Sequence, residues 1–480
     1  MSLETLGGLD AAFLSLEAPG APLQVAAVLL LDPPEGRRSL FSPSTRFAQI
    51  RRVIGERISL VPALRQRAVP IPLGLHHPVW ADDPEFALDD HLSRAVLPAP
   101  GTMAELSDLV AAVMSRPLDP DRPLWEVVVV EGMADGRTAM VMKLHHAILD
   151  GVSGASLLAN FLDLGPRSRP VPFPSTFDPS PLPGRRDLLA HAARSIVHQP
   201  GVAVDALSQA LDVLVDVSQQ NRRLAEEGVT PPPAPFSAPR TRLNGTISSR
   251  RSFASVDLDL GAALAVREAY GATVTDVVLA SVAGGLRRYL GLEGTDTGDL
   301  VAMVQVSVRP EAEQDDLGNR VSAMLVSLAT TEGGAVERLA KIAAGSSVAK
   351  SQHELTGGRL LADLAQIAAP VVATRASRWA TGLGLFDRLA PLSNVTISSV
   401  RGPDMAIWCA GSRVSALMPV GPVAGGVGLN VTAMSYLGRI QLGLLGCRRL
   451  VPDIDTLAAE VLGAFEELAA TIDTVAEVAG

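Results

Sequence analysis

Apolar positions along this chain fall into two periods. Residues 23–31, 124–131 and 137–145 are β-rich apolar runs, and the last two are joined by Asp135-Gly136, a pair that favours a tight hairpin turn. Residues 47–58 and 104–114 repeat instead at helical spacing. The second part of the chain shows the same mixture, with helical patterns over 273–289, 335–349 and 454–470 and strand patterns over 301–308, 321–328, 394–400, 429–435 and 439–445. This alternation predicts an α/β (α+β) protein built as two layers of similar size. No short repeat period is visible, which excludes a solenoid.

Two proline-rich stretches break the pattern: 165–184 holds seven prolines and 228–239 holds five. Such composition reads as extended linker. It divides the chain into an N-terminal half, 1–164, a linker, 165–239, and a C-terminal half, 240–480. Inside the linker, Val202, Val204, Leu207, Leu211, Leu214 and Val217 recur at roughly helical spacing. The polar positions among them include Asp205, Asp212 and Asp216, and an acidic face favours packing against the two halves over contact with a lipid surface.

Composition narrows the class. Apolar residues make up 47% and charged residues 19%, yet the longest uncharged stretch, 414–438, is broken by Pro419, Pro422 and four glycines and so predicts strands and turns. A soluble, cytoplasmic chain is expected, one that allows peripheral contact with a membrane. The start, Met1-Ser2-Leu3-Glu4, lacks the basic and apolar regions of a secretory signal. Cys409 and Cys447 have no partnering histidine spacing, so neither a disulfide framework nor a metal site is expected. A formal charge of −10 opposes nucleic-acid binding. Isolated basic pairs, Arg250-Arg251 and Arg287-Arg288, read as solvated faces.

Candidate chemistry concentrates in Lys143-Leu144-His145-His146-Ala147-Ile148-Leu149-Asp150-Gly151, where an apolar strand ends and a helical run over 151–164 begins. Imidazole titrates near neutrality, so a neutral ring nitrogen on His146 can take a hydroxyl proton and return it to a leaving group. Asp150, at the helix start, can cap free N–H groups or hold the turn through an arginine elsewhere, and Gly151 permits a positive φ or close approach of another backbone. The alternative is a hydrogen-bonded core feature without catalytic work. Adjacent histidines on a strand point to opposite faces, which argues against a shared metal. No Gly-x-Ser-x-Gly elbow suggests a serine hydrolase.

The same segment resembles the His-His-x-x-x-Asp-Gly motif of the bacterial wax ester synthase/diacylglycerol acyltransferase family. The likeness runs collinearly along nearly the whole chain. It includes Leu9-Asp10-Ala11-Ala12-Phe13-Leu14 with Glu17; Trp80, Phe86 and His91; Arg116-Pro117-Leu118-Asp119; and Arg122-Pro123-Leu124-Trp125-Glu126. Farther on come Arg242-Leu243-Asn244-Gly245, Thr275-Asp276-Val277-Val278, Gly318-Asn319-Arg320, the stretch 394–403 and Ser435-Tyr436-Leu437-Gly438-Arg439.

The resemblance implies the chloramphenicol acetyltransferase fold shared with condensation domains: two related halves with the active-site tunnel between them. It also implies acyl transfer from acyl-CoA, as substrate and without a cofactor, to diacylglycerol or a long-chain alcohol at a membrane or lipid-droplet surface. His146 is the implied base, with His145, Asp150 and Gly151 in its motif and Thr275, Asp276, Asn394 and Ser398 as candidate substrate contacts. Thr275-Asp276 stands where the family usually has Asn-Asp, and Ser398-Ser399-Val400-Arg401-Gly402-Pro403 stands where it usually has Ser-Asn-Val-Pro-Gly-Pro. Those positions either line the tunnel and tune acceptor choice or satisfy turn backbone. Other outcomes are a condensation-type enzyme acting on another hydroxyl metabolite and a catalytically weak homologue that binds acyl-CoA or lipid.

Overall fold

A computed structural model describes residues 3–17, 20–33, 43–150, 159–171, 177–197, 219–224, 226, 229–307, 321–355, 387 and 390–479. In chain order the N-terminal elements are β1 (Glu4–Thr5), α1 (Gly8–Leu16), β2 (Gln24–Leu31), α2 (Pro43–Arg57), β3 (Gln66–Val69), β4 (Val79–Asp82), β5 (Leu92–Val96), α3 (Met103–Ser115), β6 (Trp125–Glu131) and β7 (Thr138–His145). A 3-10 turn, His146–Asp150, follows, and then α4 (Arg185–Val197). The remaining elements are β8 (Arg251–Asp259), α5 (Leu260–Tyr270), α6 (Val274–Tyr289), β9 (Val301–Ser307), β10 (Val321–Ser327), α7 (Ala335–Leu355), β11 (Val395–Val400), β12 (Trp408–Cys409), β13 (Ser412–Val420), β14 (Leu429–Tyr436), β15 (Arg439–Cys447) and α8 (Ile454–Ala479). The expected amphipathic helix over 202–217 lies outside the described residues, as do Gly151 and Gly318-Asn319-Arg320.

Two six-stranded sheets organise the molecule, one ordered β12-β13-β2-β7-β6-β5 and the other β10-β9-β11-β14-β15-β8. In the first, β6 and β7 form the hairpin expected at Asp135-Gly136, where Gly136 adopts φ 78°. The uninterrupted valines of β6 are explained by burial on both faces. Val127 and Val129 join the core against Ile50, Ile54 and Leu64, while Val128 and Val130 join the core against Leu106 and Val110 of α3. In the second sheet, Val395, Ile397, Val431, Leu442 and Leu444 face α5, α6 and α8. Helix α6 is buried along Asp276–Leu286, and Gly284 and Gly285 let Ala464 and Val461 of α8 approach its backbone.

The sheets are not confined to their halves of the sequence. Strand β13, from the C-terminal half, pairs antiparallel with β2, Val420 opposite Ala26 and Leu417 opposite Leu29. It also lies across β14 and β15 of the second sheet, so close that a Cβ at Gly443 would collide with the carbonyl oxygen of Pro419. Gln441 Oε1 accepts a hydrogen bond from the Leu417 N–H at 2.5 Å, and Tyr436 Oη donates to Val414 O at 2.8 Å. This strand stitches the two layers into one body.

Strand β8 carries alternation that the strand reading of the sequence passed over: Ala254, Val256 and Leu258 enter the second core while Ser255 and Asp257 point away. The reading of Arg250-Arg251 as a solvated pair is corrected for Arg251, which is 3% exposed and donates to Gly20 O at 2.6 Å and to Ser248 O at 2.5 Å. Both cysteines are free and buried.

Candidate active site

The end of β7 is pinned from both sides. His145 N–H donates to Leu124 O at 2.9 Å, and His146 N–H donates to Leu23 O at 3.0 Å. Two residues earlier, buried Lys143 donates from Nζ to Val113 O at 3.0 Å, Arg116 O at 2.6 Å and Glu126 Oε1 at 2.9 Å. The ammonium thereby closes the carbonyl end of α3, where positive charge is favoured, although burial holds its pKa below that of a free lysine. Trp125, opposite Leu144 on β6, donates from Nε1 to Leu64 O at 2.8 Å and stacks on His91 with ring centroids 4.5 Å apart. The Leu124-Trp125-Glu126 segment is thus the brace behind the histidine-bearing strand.

His145 and His146 occupy different surroundings. His145 Nδ1 accepts the Ala147 N–H at 3.1 Å, and its Nε2 faces Glu17 Oε1 at 3.1 Å without the alignment of a full hydrogen bond. His146 lies against Phe13, ring centroids 4.1 Å apart, and its Nδ1 is buried with no hydrogen-bond partner among the described residues. Burial, with the neighbouring His145 second, pushes its pKa down to about 4, so the ring is neutral at pH 7. A neutral, desolvated imidazole can accept a proton from a hydroxyl brought into contact with it.

The remaining candidates divide. Asp150 ends the 3-10 turn, but its side chain, any arginine partner and Gly151 fall outside the described residues. Asp276 is the third residue of α6 and forms a capping box with Thr273: its Oδ2 accepts the Thr273 N–H at 2.9 Å and Thr273 Oγ1 accepts the Asp276 N–H at 3.1 Å. Its Oδ1 accepts Ser346 Oγ at 2.5 Å. Thr275, the second residue of that helix, is half-buried.

Asn394 is fully buried and its amide is occupied by the chain itself. Nδ2 donates to Pro239 O at 2.6 Å and Asn244 Oδ1 at 2.8 Å, while Oδ1 accepts the Val301 N–H at 2.9 Å. Both amide hydrogens and the oxygen of Asn394 thus bond within the chain, and the side chain acts as a clasp between the segments around Pro239, Asn244 and Val301. Ser398 sits on β11 between Gln305 and Thr432, on the face opposite Val395 and Ile397, and is 8% exposed. Phe13 and Glu17 complete the surroundings of the histidine pair. In the sequence both belong to the segment 9–17, which by itself carries no role for either. Their spacing of four, which places two side chains on one face of a helix, was the only local signal.

Residues 6–278 match the model of the wax ester synthase/diacylglycerol acyltransferase catalytic domain, and residues 317–469 match that of the family's C-terminal domain. The chain belongs to the wax ester synthase/diacylglycerol acyltransferase family. A Mycobacterium tuberculosis (strain CDC 1551 / Oshkosh) protein named as a diacylglycerol O-acyltransferase is 35% identical over 471 residues, covering 97% of this chain and 90% of the relative. Among solved structures, the wax ester synthase/diacylglycerol acyltransferase from Marinobacter aquaeolei VT8 is 28% identical with a TM-score of 0.67, covering 98% of this chain and 100% of that one. The first condensation domain of the calcium-dependent antibiotic synthetase shares the fold, with a TM-score of 0.55 at 17% identity over 97% of this chain and 96% of that one. As a wax ester synthase/diacylglycerol acyltransferase homologue the chain is an O-acyltransferase, and its histidine pair stands buried at the end of β7. No single helix among the described residues is long and apolar enough to cross a membrane.

Proposed function

We propose that this acyltransferase moves a long acyl chain from acyl-CoA to the hydroxyl of diacylglycerol or a long-chain alcohol, with His146 as general base and no resident cofactor. The observation that carries the reading is the neutral, buried His146 imidazole at the junction of β7 with the following turn. A ring nitrogen takes the acceptor's hydroxyl proton while the oxygen attacks the thioester carbonyl. The tetrahedral intermediate then collapses to the ester, and the imidazolium returns its proton to the CoA thiolate. Because burial disfavours the imidazolium, the proton is held only while the neighbouring negative charge of the intermediate offsets it. Two substrates held in line remove most of the entropic cost of their meeting.

The test is CoA release by the purified protein with palmitoyl-CoA and no acceptor, hexadecanol or dipalmitoylglycerol. His146→Ala is expected to lower acceptor-dependent release by about 100-fold or more with the fold retained by circular dichroism. Equal release from the variant and its parent would refute the base assignment.

We also propose that the protein works at a lipid surface. Leu73, 83% exposed and held at φ 61°, projects beside exposed Leu75, and the short turn carrying Leu73 packs against α4, which presents Leu189 with Arg185, Arg186 and Arg194. An exposed leucine in a left-handed conformation gains nothing from the chain's own core, and apolar side chains flanked by arginines suit an anionic interface.

A further inference from the structure

The structure assigns to Glu17 a positioning role: through His145 on one side and Leu23 on the other, its carboxylate anchors the turn that carries His146. This inference rests on the proposed role of His146 as base. Helix α1 ends at Leu16, so Glu17 caps its C-terminus one turn beyond Phe13, whose ring lies on His146. Glu17 Oε1 accepts the Leu23 N–H at 2.9 Å, and Leu23 O in turn accepts the His146 N–H at 3.0 Å. The same oxygen stands 3.1 Å from His145 Nε2, and His145 Nδ1 accepts the Ala147 N–H at 3.1 Å. Two chains of contact therefore leave one carboxylate oxygen and close on consecutive backbone N–H groups, those of His146 and Ala147.

The tautomer follows from this arrangement. A ring nitrogen that accepts the Ala147 N–H carries a lone pair, so neutral His145 bears its proton on Nε2, facing Glu17. A small ring rotation completes that hydrogen bond. Without the carboxylate, Nε2–H would be buried with no acceptor, and the tautomer with its proton on Nδ1 would become competitive. That tautomer places two N–H groups against each other at Ala147 and breaks the turn's anchor. His145 is 1% exposed, so in the intact protein its ring takes its partners from the chain. Chemistry at His146 depends on its ring meeting a hydroxyl within a narrow range of distance and angle, so loosening the turn costs rate more than substrate affinity.

The test compares Glu17→Gln, Glu17→Ala and His146→Ala for kcat, KM for palmitoyl-CoA and the urea unfolding midpoint. Glu17→Gln keeps an acceptor for the Leu23 N–H and is expected to fold as the parent does, with kcat lowered about tenfold and KM within about twofold; Glu17→Ala should lose about 100-fold. Partial rescue by Gln with KM unmoved supports positioning. A Glu17→Gln protein with parental kcat overturns the proposal, and so does a loss of activity in both variants that only follows their loss of folded protein. His146→Ala separates the two failures. If it is inactive while Glu17→Gln and Glu17→Ala are fully active, positioning alone is wrong; if His146→Ala is itself active, the base assignment falls first.

Discussion

Burial holds the His146 imidazole neutral down to about pH 4, whereas the same side chain in the unfolded chain titrates near 6.5. Between those values the unfolded state binds more protons than the folded one, so acidification favours unfolding. The stability tied to this histidine is complete above about pH 6.5 and falls by about 3 kcal/mol as pH drops through 4. His91, whose pKa is also lowered chiefly by burial, adds in the same direction. Urea unfolding midpoints of the parent are expected to fall steeply from pH 7 to pH 4.5, and those of His146→Gln less so; parallel decline in the two proteins would contradict the assignment. Activity in the parent should stay flat across pH 6 to 8, in keeping with a base already unprotonated there.

At the scale of elements, β13 joins the two layers. Its hydrogen-bond ladder belongs to the first sheet, while its close passage over β15 depends on the missing side chain at Gly443. Gly443→Ala is expected to force the strand off the second sheet and to cost about 1–3 kcal/mol, read as a lower urea midpoint. Gly345, within α7, has open space where a Cβ would stand, so Gly345→Ala should stabilise by about 0.5–1 kcal/mol. If both substitutions move the midpoint in the same direction, close backbone approach is not what Gly443 provides. The elements also explain why motifs far from the histidines belong together. Asn244 and Asn394 clasp the chain leading into β8 to the start of β11 through hydrogen bonds of 2.8 and 2.9 Å, and Tyr436 ties β14 to β13.

For the whole molecule, a net charge of −10 sets a general repulsion from anionic membranes, against which the arginines of α4 are local exceptions. Orientation at a lipid surface would then be decided by the Leu73, Leu75 and Leu189 edge. Co-sedimentation with vesicles containing phosphatidylglycerol is expected to weaken with salt and with Leu73→Ser, while turnover of short-chain substrates presented in solution stays at the parental level. Binding indifferent to both salt and Leu73→Ser would place the contact elsewhere on the surface.

Local pattern carried much of this protein. The runs that became β2, β6 and β7 are contiguous and apolar, the hairpin between the last two has its own turn residues, and α3, α6 and α8 announce themselves by period, because each depends on neighbours a few positions away. The histidine motif was legible for the same reason, whereas the capping box of Thr273 and Asp276 at the start of α6 came only with the structure. Nothing local placed Glu17 against His145 or Phe13 against His146, about 130 positions away, nor sent residues 412–420 back to the sheet of residues 24–31. Those meetings are set by packing between distant surfaces. Nor did anything local bring the Asn394 amide to Pro239, Asn244 and Val301, to which it bonds. Periodicity and motif determined which strand would bear the histidine pair. Only the tertiary structure decided what keeps the His146 ring neutral and what surrounds it, because desolvation and hydrogen bonding are properties of the groups around a side chain and not of its place in the chain.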